Sequence, residues 1–106
     1  MLITVFRTRV RPGLRDEYAA AVDRMNELVR TMPGYISHKS FYAEDGERCT
    51  IVEFENEEGL RTWRTNPEHL VARKMAPQKY YTEYACRFAH SIASRSSSYR
   101  VAAAQT

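Results

Sequence analysis

Cysteine is scarce: Cys49 and Cys86 are the only two thiols in 106 residues, and neither stands in a CxxC or at a metal-ligand spacing. A disulfide scaffold and a cysteine-built metal site are therefore not expected. Both thiols read as small buried apolar residues inside strands, which suits a reducing compartment. No apolar run approaches the ~18 to 20 residues of a membrane span, and the N-terminus lacks the basic, apolar and small-residue order of a secretory signal. The expected location is the cytoplasm, with no membrane partner. Blocks of one charge are missing too, because the net charge of +3 comes from 16 basic and 13 acidic residues that are interspersed. Arg7, Arg9 and Arg11 alternate on one strand face but stand alone, so their reading is structural and no nucleic-acid partner is expected. There is no internal repeat.

What is present is the composition of a globular domain: 43% apolar, 27% charged and 11% aromatic, with seven tyrosines. At this length one domain is expected, and so small a chain gains from self-association. Residues 2–10 alternate Leu2, Thr4, Phe6, Thr8 and Val10 against Ile3, Val5, Arg7 and Arg9, a strand ended by Pro12-Gly13. Residues 14–32 carry apolar side chains at a 3.6-residue period and predict a helix, stopped by Met32-Pro33-Gly34. Two strands follow, residues 35–43 and 48–55, joined across Asp45-Gly46 as a hairpin.

The stretch over residues 51–75 then turns from strand to helix. Asn56 is placed to cap it and Glu57 and Glu58 to offset its dipole, while Leu60 and Trp63 share a face. Asn66-Pro67 predicts a kink or a second piece, with His69 on its opening turn. Residues 79–90 read as the last strand. The order β-α-β-β-α-β predicts an α+β, ferredoxin-like domain over residues 1–90, with a four-stranded antiparallel sheet and helices on one face. Val5, Ile36 and Ile51 make the open face apolar, which predicts sheet-on-sheet pairing of two chains. In that order the third and fourth strands flank the first, which keeps Cys49 and Cys86 apart. Residues 91–106 form a serine- and then alanine-rich tail, expected to dock on its own or a partner chain through Ile92, Tyr99 and Val101.

Met32-Pro33-Gly34-Tyr35, the run Phe54-Glu55-Asn56-Glu57-Glu58, Trp63, Asn66-Pro67-Glu68-His69-Leu70 and Tyr80-Tyr81-Thr82-Glu83-Tyr84 together resemble the antibiotic biosynthesis monooxygenase family. The resemblance spans residues 1–88 and implies a dimeric α+β barrel. Its members include enzymes that oxidise polycyclic phenols with O2 and no metal or flavin, so it implies a cofactor-independent monooxygenase for a small or polycyclic aromatic substrate. Carried over residue by residue, it implies Trp63 as pocket wall and indole donor. His69 is then a proton acceptor near neutral pH and Arg73, one turn on, a cation that favours phenolate. Phe6, Tyr80, Tyr81 and Tyr84 are the candidate substrate contacts. The same residues have plainer readings: Trp63 as core, His69 as a cap, Arg73 as a solvated charge, the tyrosines as packing. His38 and His90 lie in strands without partner spacing. No cofactor and no metal are expected. The haem-degrading branch is an alternative, but it uses a first-strand asparagine, absent from residues 2–10, and a helix histidine where this chain has Ala72. A non-catalytic dimer that binds a small ligand is the alternative from another class.

Overall fold

The computed structural model describes residues 1–92. The elements are β1 (Leu2–Val10), α1 (Arg15–Val29), β2 (Tyr35–Tyr42), β3 (Arg48–Phe54), α2 (Glu57–Thr65), α3 (Pro67–Lys79) and β4 (Tyr81–His90). One antiparallel sheet holds all four strands in the order β2-β3-β1-β4, the ferredoxin-like arrangement expected from the sequence. β1 lies between β3 and β4, so Cys49 and Cys86 sit on different neighbours of one strand, and both are free thiols. Cys86 departs from expectation: it is exposed, because the helix-side face of β4 is thinly covered.

Local chemistry sets the boundaries. Asn56 accepts a hydrogen bond from the Gly59 N–H at 2.9 Å and starts α2. Asn66 ends that helix and starts α3 by accepting from the N–H groups of Glu68 and His69 at 3.0 and 3.1 Å, with Pro67 in the first helical position. The last helix runs further than the sequence suggests, since Pro77 is held within it and Lys79 is helical; β4 begins at Tyr81. Proline's fixed φ is compatible with a helix, and the Tyr80 N–H still reaches the Ala76 carbonyl at 2.8 Å. In the hairpin Gly46 takes φ +90°, a left-handed conformation that glycine adopts without strain.

The core has two parts, both on the helix side. Leu2, Val29, Phe54, Leu60 and Trp63 form one, with Phe54 wholly buried. Tyr18, Tyr80 and Tyr81 form the other, flanked by Phe6, Val10 and Val22. Each large side chain buried here contributes about 1.5–3 kcal/mol. By contrast α3 has no fully buried side chain, and Val71, Met75, Tyr84 and Phe88 remain exposed on or beside it. On the open face Val5 pairs with Ile51, and Ile3 with Ala89. Arg7 binds Glu47 at 2.7 Å and Arg9 binds Asp45 and Glu83, which gives the basic strand residues their structural role. No helix among the described residues is long and apolar enough to cross a membrane. The docking expected of the tail falls outside the described residues apart from Ile92, which is fully exposed.

Candidate functional site

Strand register brings residues far apart in sequence onto one patch of the helix-side face. Arg48 on β3 stands directly opposite Thr8 on β1 and Tyr42 on β2, and one step along Ser40 stands opposite Thr50. His38 is in the next row, opposite Val52. α1 roofs this patch with Tyr18, Ala19, Val22, Asp23 and Asn26, and because Ala19 and Val22 are short a cavity of about 380 Å³ is left between helix and sheet. That volume lies in the range of small-molecule sites.

The cavity wall is polar and ordered. Arg48 is only 9% exposed; its Nη2 donates to Ser40 Oγ at 2.8 Å and its Nη1 to the Tyr18 hydroxyl at 3.4 Å. Ser40 Oγ in turn shares a hydrogen bond with Thr50 Oγ1 at 2.8 Å, and the Tyr18 hydroxyl shares one with Tyr81 at 3.0 Å. Burial pushes the Tyr81 phenol well above its ordinary range, so it stays protonated. Among the described residues no carboxylate forms an ion pair with Arg48. A guanidinium removed from water and held by neutral hydroxyls and the Tyr18 ring, 5.7 Å from its centroid, still lacks a counter-charge, and an anion in the cavity would supply it. His38 lies on the same wall with Nδ1 2.6 Å from the Tyr35 hydroxyl. Burial, then Arg30 and Arg48, hold it below the usual imidazole range, so it is neutral at physiological pH.

The residues singled out from sequence are gathered elsewhere, and none of the seven lines this cavity. Trp63 belongs to the core, with the His69 ring stacked flat on it at 3.7 Å between centroids and 11° between planes. His69 Nδ1 donates to the Trp63 carbonyl oxygen at 2.8 Å, which fixes the tautomer and leaves Nε2 as an acceptor. Burial pushes its pKa down to about 4, with Arg73 and Arg64 adding in the same direction. His69 is therefore not a base poised near neutrality, as its residue type alone suggests. Arg73 is exposed and donates to the Arg64 carbonyl at 3.0 Å. Tyr80 and Tyr81 are core residues, and Phe6 packs edge-on to Tyr81. Tyr84 is 58% exposed.

Arg48, Thr8, Tyr18 and Ser40 escaped the sequence reading. The available signal was an arginine in phase with Thr50, Val52 and Phe54 on the buried side of a strand. Among the described residues no group of three His, Cys, Asp or Glu side chains is placed to share a metal ion. The donor set does not suit haem: β1 carries no asparagine, and His69 lies flat on Trp63 with Nδ1 committed to a backbone carbonyl.

A family model described as antibiotic biosynthesis monooxygenase matches residues 1–75. No curated protein matches the chain. Among solved structures, Rv0793 from Mycobacterium tuberculosis is 21% identical with a TM-score of 0.78, covering 90% of this chain and 98% of its own. SnoaB, a cofactor-independent oxygenase from Streptomyces nogalater, is 15% identical with a TM-score of 0.75 and coverage of 88% and 94%. A protein from Deinococcus radiodurans reaches a TM-score of 0.80 at 10% identity, covering 92% of this chain and 99% of its own. Likeness at these identities carries the fold and nothing finer.

Proposed function

Because the chain belongs to the antibiotic biosynthesis monooxygenase family, whose model its residues 1–75 match, we propose that it oxygenates an electron-rich phenol or hydroquinone with O2 and without a cofactor. The reaction takes place in the cavity between α1 and the sheet, in a cytoplasmic homodimer paired through the open sheet faces. One observation carries the reading: Arg48 is a buried guanidinium without a carboxylate partner among the described residues, facing a ligand-sized space.

A phenol gives up an electron to O2 far less readily than its phenolate. A fixed cation that is itself buried favours the phenolate, and needs no reorganisation as the charge develops. The phenolic proton passes to His38 on the cavity wall, an imidazole held below its ordinary basicity, and the transfer relies on Arg48 making the bound phenol more acidic. The activated ring carbon, conjugated with the phenolate oxygen, then bonds to oxygen and the peroxide loses water, so that its ring hydrogen, the phenolic proton and one O2 end as a ring carbonyl and one water. The substrate is the only reductant. The Tyr18 hydroxyl, next to Arg48 at 3.4 Å, supplies a second polar contact for the developing anion.

Oxygen uptake with a panel of hydroquinones, naphthols and anthrones tests the reading. We expect turnover with at least one, and a fall of about 100-fold or more in Arg48→Met. Binding of aromatics without any uptake would instead identify a non-catalytic ligand-binding protein.

A further inference from the structure

β2 does not begin as a regular strand. Tyr35 stands opposite Phe54 and Ser37 opposite Glu53, so Ile36 is an extra residue, a bulge in the pairing with β3. Residues three apart on a regular strand point to opposite faces. The bulge cancels one step, and Tyr35 and His38 both reach the helix side, where their cross-strand partners Phe54 and Val52 are part of the core packing. There the Tyr35 ring packs edge-on to the wholly buried Phe54, with 6.3 Å between centroids, and its hydroxyl lies 2.6 Å from His38 Nδ1. His38 Nε2 has no hydrogen-bond partner among the described residues, yet it is not one of the atoms shut off from solvent. It is the ring nitrogen left to the cavity that His38 lines.

We propose that Tyr35 is a positioning residue for His38: its hydroxyl oxygen accepts the Nδ1–H and so keeps Nε2 bare toward the cavity, where the phenolic proton arrives. A neutral imidazole takes up a proton only at the nitrogen without a hydrogen. Were Tyr35 the donor, the hydrogen of His38 would sit on Nε2 and the cavity would face a donor. With Nδ1–H donating, the phenolic O–H bond breaks, its electron pair stays on the substrate oxygen, and Nε2–H forms. The Nδ1–H bond to Tyr35 is in place before and after that transfer, so no partner has to turn as the charge develops. The charged groups around the ring are Arg30 at the end of α1, Arg48 on β3 and Lys39 on its own strand, with Asp23 on the α1 side of the cavity. Arg30 and Arg48 oppose an imidazolium, and the Tyr35 oxygen is the polar atom that steadies it. The inference rests on the proton-accepting role of His38 in the proposed reaction, and adds the residue that sets its tautomer.

The test is nitrogen NMR of the isotope-labelled, intact protein, with the His38 signals assigned by their loss in His38→Gln. In the parent, above the titration of His38, Nδ1 is expected to carry the hydrogen and Nε2 to be bare. Tyr35→Phe keeps the ring against Phe54 and removes only the hydroxyl. It should move hydrogen onto Nε2 and lower the His38 pKa further, because the imidazolium loses its acceptor. Where a phenol is turned over, kcat should fall about 10-fold with KM little changed, and the acid limb of the pH profile should move to lower pH. A tyrosine that only packs would shift neither tautomer nor titration. Hydrogen on Nε2 in the parent, or a Tyr35→Phe protein whose His38 signals and titration match the parent, overturns the inference. The parent spectrum decides even if Tyr35→Phe fails to fold. No substrate is needed for that spectrum, so it is read apart from oxygen uptake: Nδ1–H in the parent without uptake by the phenol panel defeats the oxygenase and upholds the tyrosine's hold on the tautomer, and uptake with the hydrogen on Nε2 does the reverse.

Discussion

His69 shows how far burial moves a side chain from what its type suggests. Its pKa is held at about 4 against an ordinary 6.5, so below 6.5 the unfolded chain takes up this proton and the folded chain does not. Its contribution to stability is complete above about 6.5, falls as the pH drops through this window, and is gone below about 4. The size is at most roughly 3 kcal/mol. His38 is displaced in the same direction and adds to the same slope. Urea midpoints measured from pH 7 to 4 should fall less steeply in His69→Gln than in the parent; equal slopes would mean that the imidazole titrates freely. The same displacement keeps His69 neutral throughout the working range, so this substitution should leave the pH profile of oxygen uptake unchanged. Arg48 is the opposite case, a buried guanidinium whose missing counter-charge the proposed ligand of the cavity would supply.

At the scale of elements, the turn before β2 and the helix after β3 are locked by a close approach. A Cβ on Gly59 would stand 2.3 Å from the Pro33 carbonyl oxygen and 3.2 Å from the Phe54 ring. Backbone cannot step aside as a flexible side chain can, so Gly59→Ala should cost about 1–3 kcal/mol despite alanine's better helix propensity, measured as a lowered denaturation midpoint. A stabilised variant would show that α2 is free to slide. Asn66 acts as both an end and a beginning. Removing its side chain in Asn66→Ala should cost about 1 kcal/mol through the two N–H groups it caps. It should also loosen the His69–Trp63 stack, which would appear as a change in tryptophan fluorescence.

Across the whole molecule the two faces of the sheet are unequal. The helix side holds the core and the cavity, whereas the open side presents Ile3, Val5 and Ile51 beside the ion pairs of Arg7 and Arg9. Two such faces packed together would bury the apolar stripe and leave the charged pairs at one end, an arrangement of the kind that a monomer this small benefits from. Light scattering at micromolar concentration should give the mass of two chains, and Ile51→Glu should give that of one with the helix-side cavity still able to bind. A monomeric parent would remove the barrel while leaving the fold of the single chain untouched.

Most of the architecture was legible in the sequence because its signals are local. Alternation over residues 2–10, the helical stripe over 14–32, Asp45-Gly46 and the two asparagine caps each act within about four positions, the range over which backbone geometry is set. The extension of α3 through Pro77 was not, since the helix is continued by tertiary placement against a local breaker. Nor was the cavity. Thr8, Tyr18, Ser40 and Arg48 come from four elements, and they meet only because β1 and β3 pair in one register and α1 crosses above them. A shift of one residue in that register would turn Arg48 to the open face and close the site. Trp63 and His69 were each singled out from the sequence, but the stacking of their rings and the lowered basicity of the imidazole depended on how α3 packed against α2.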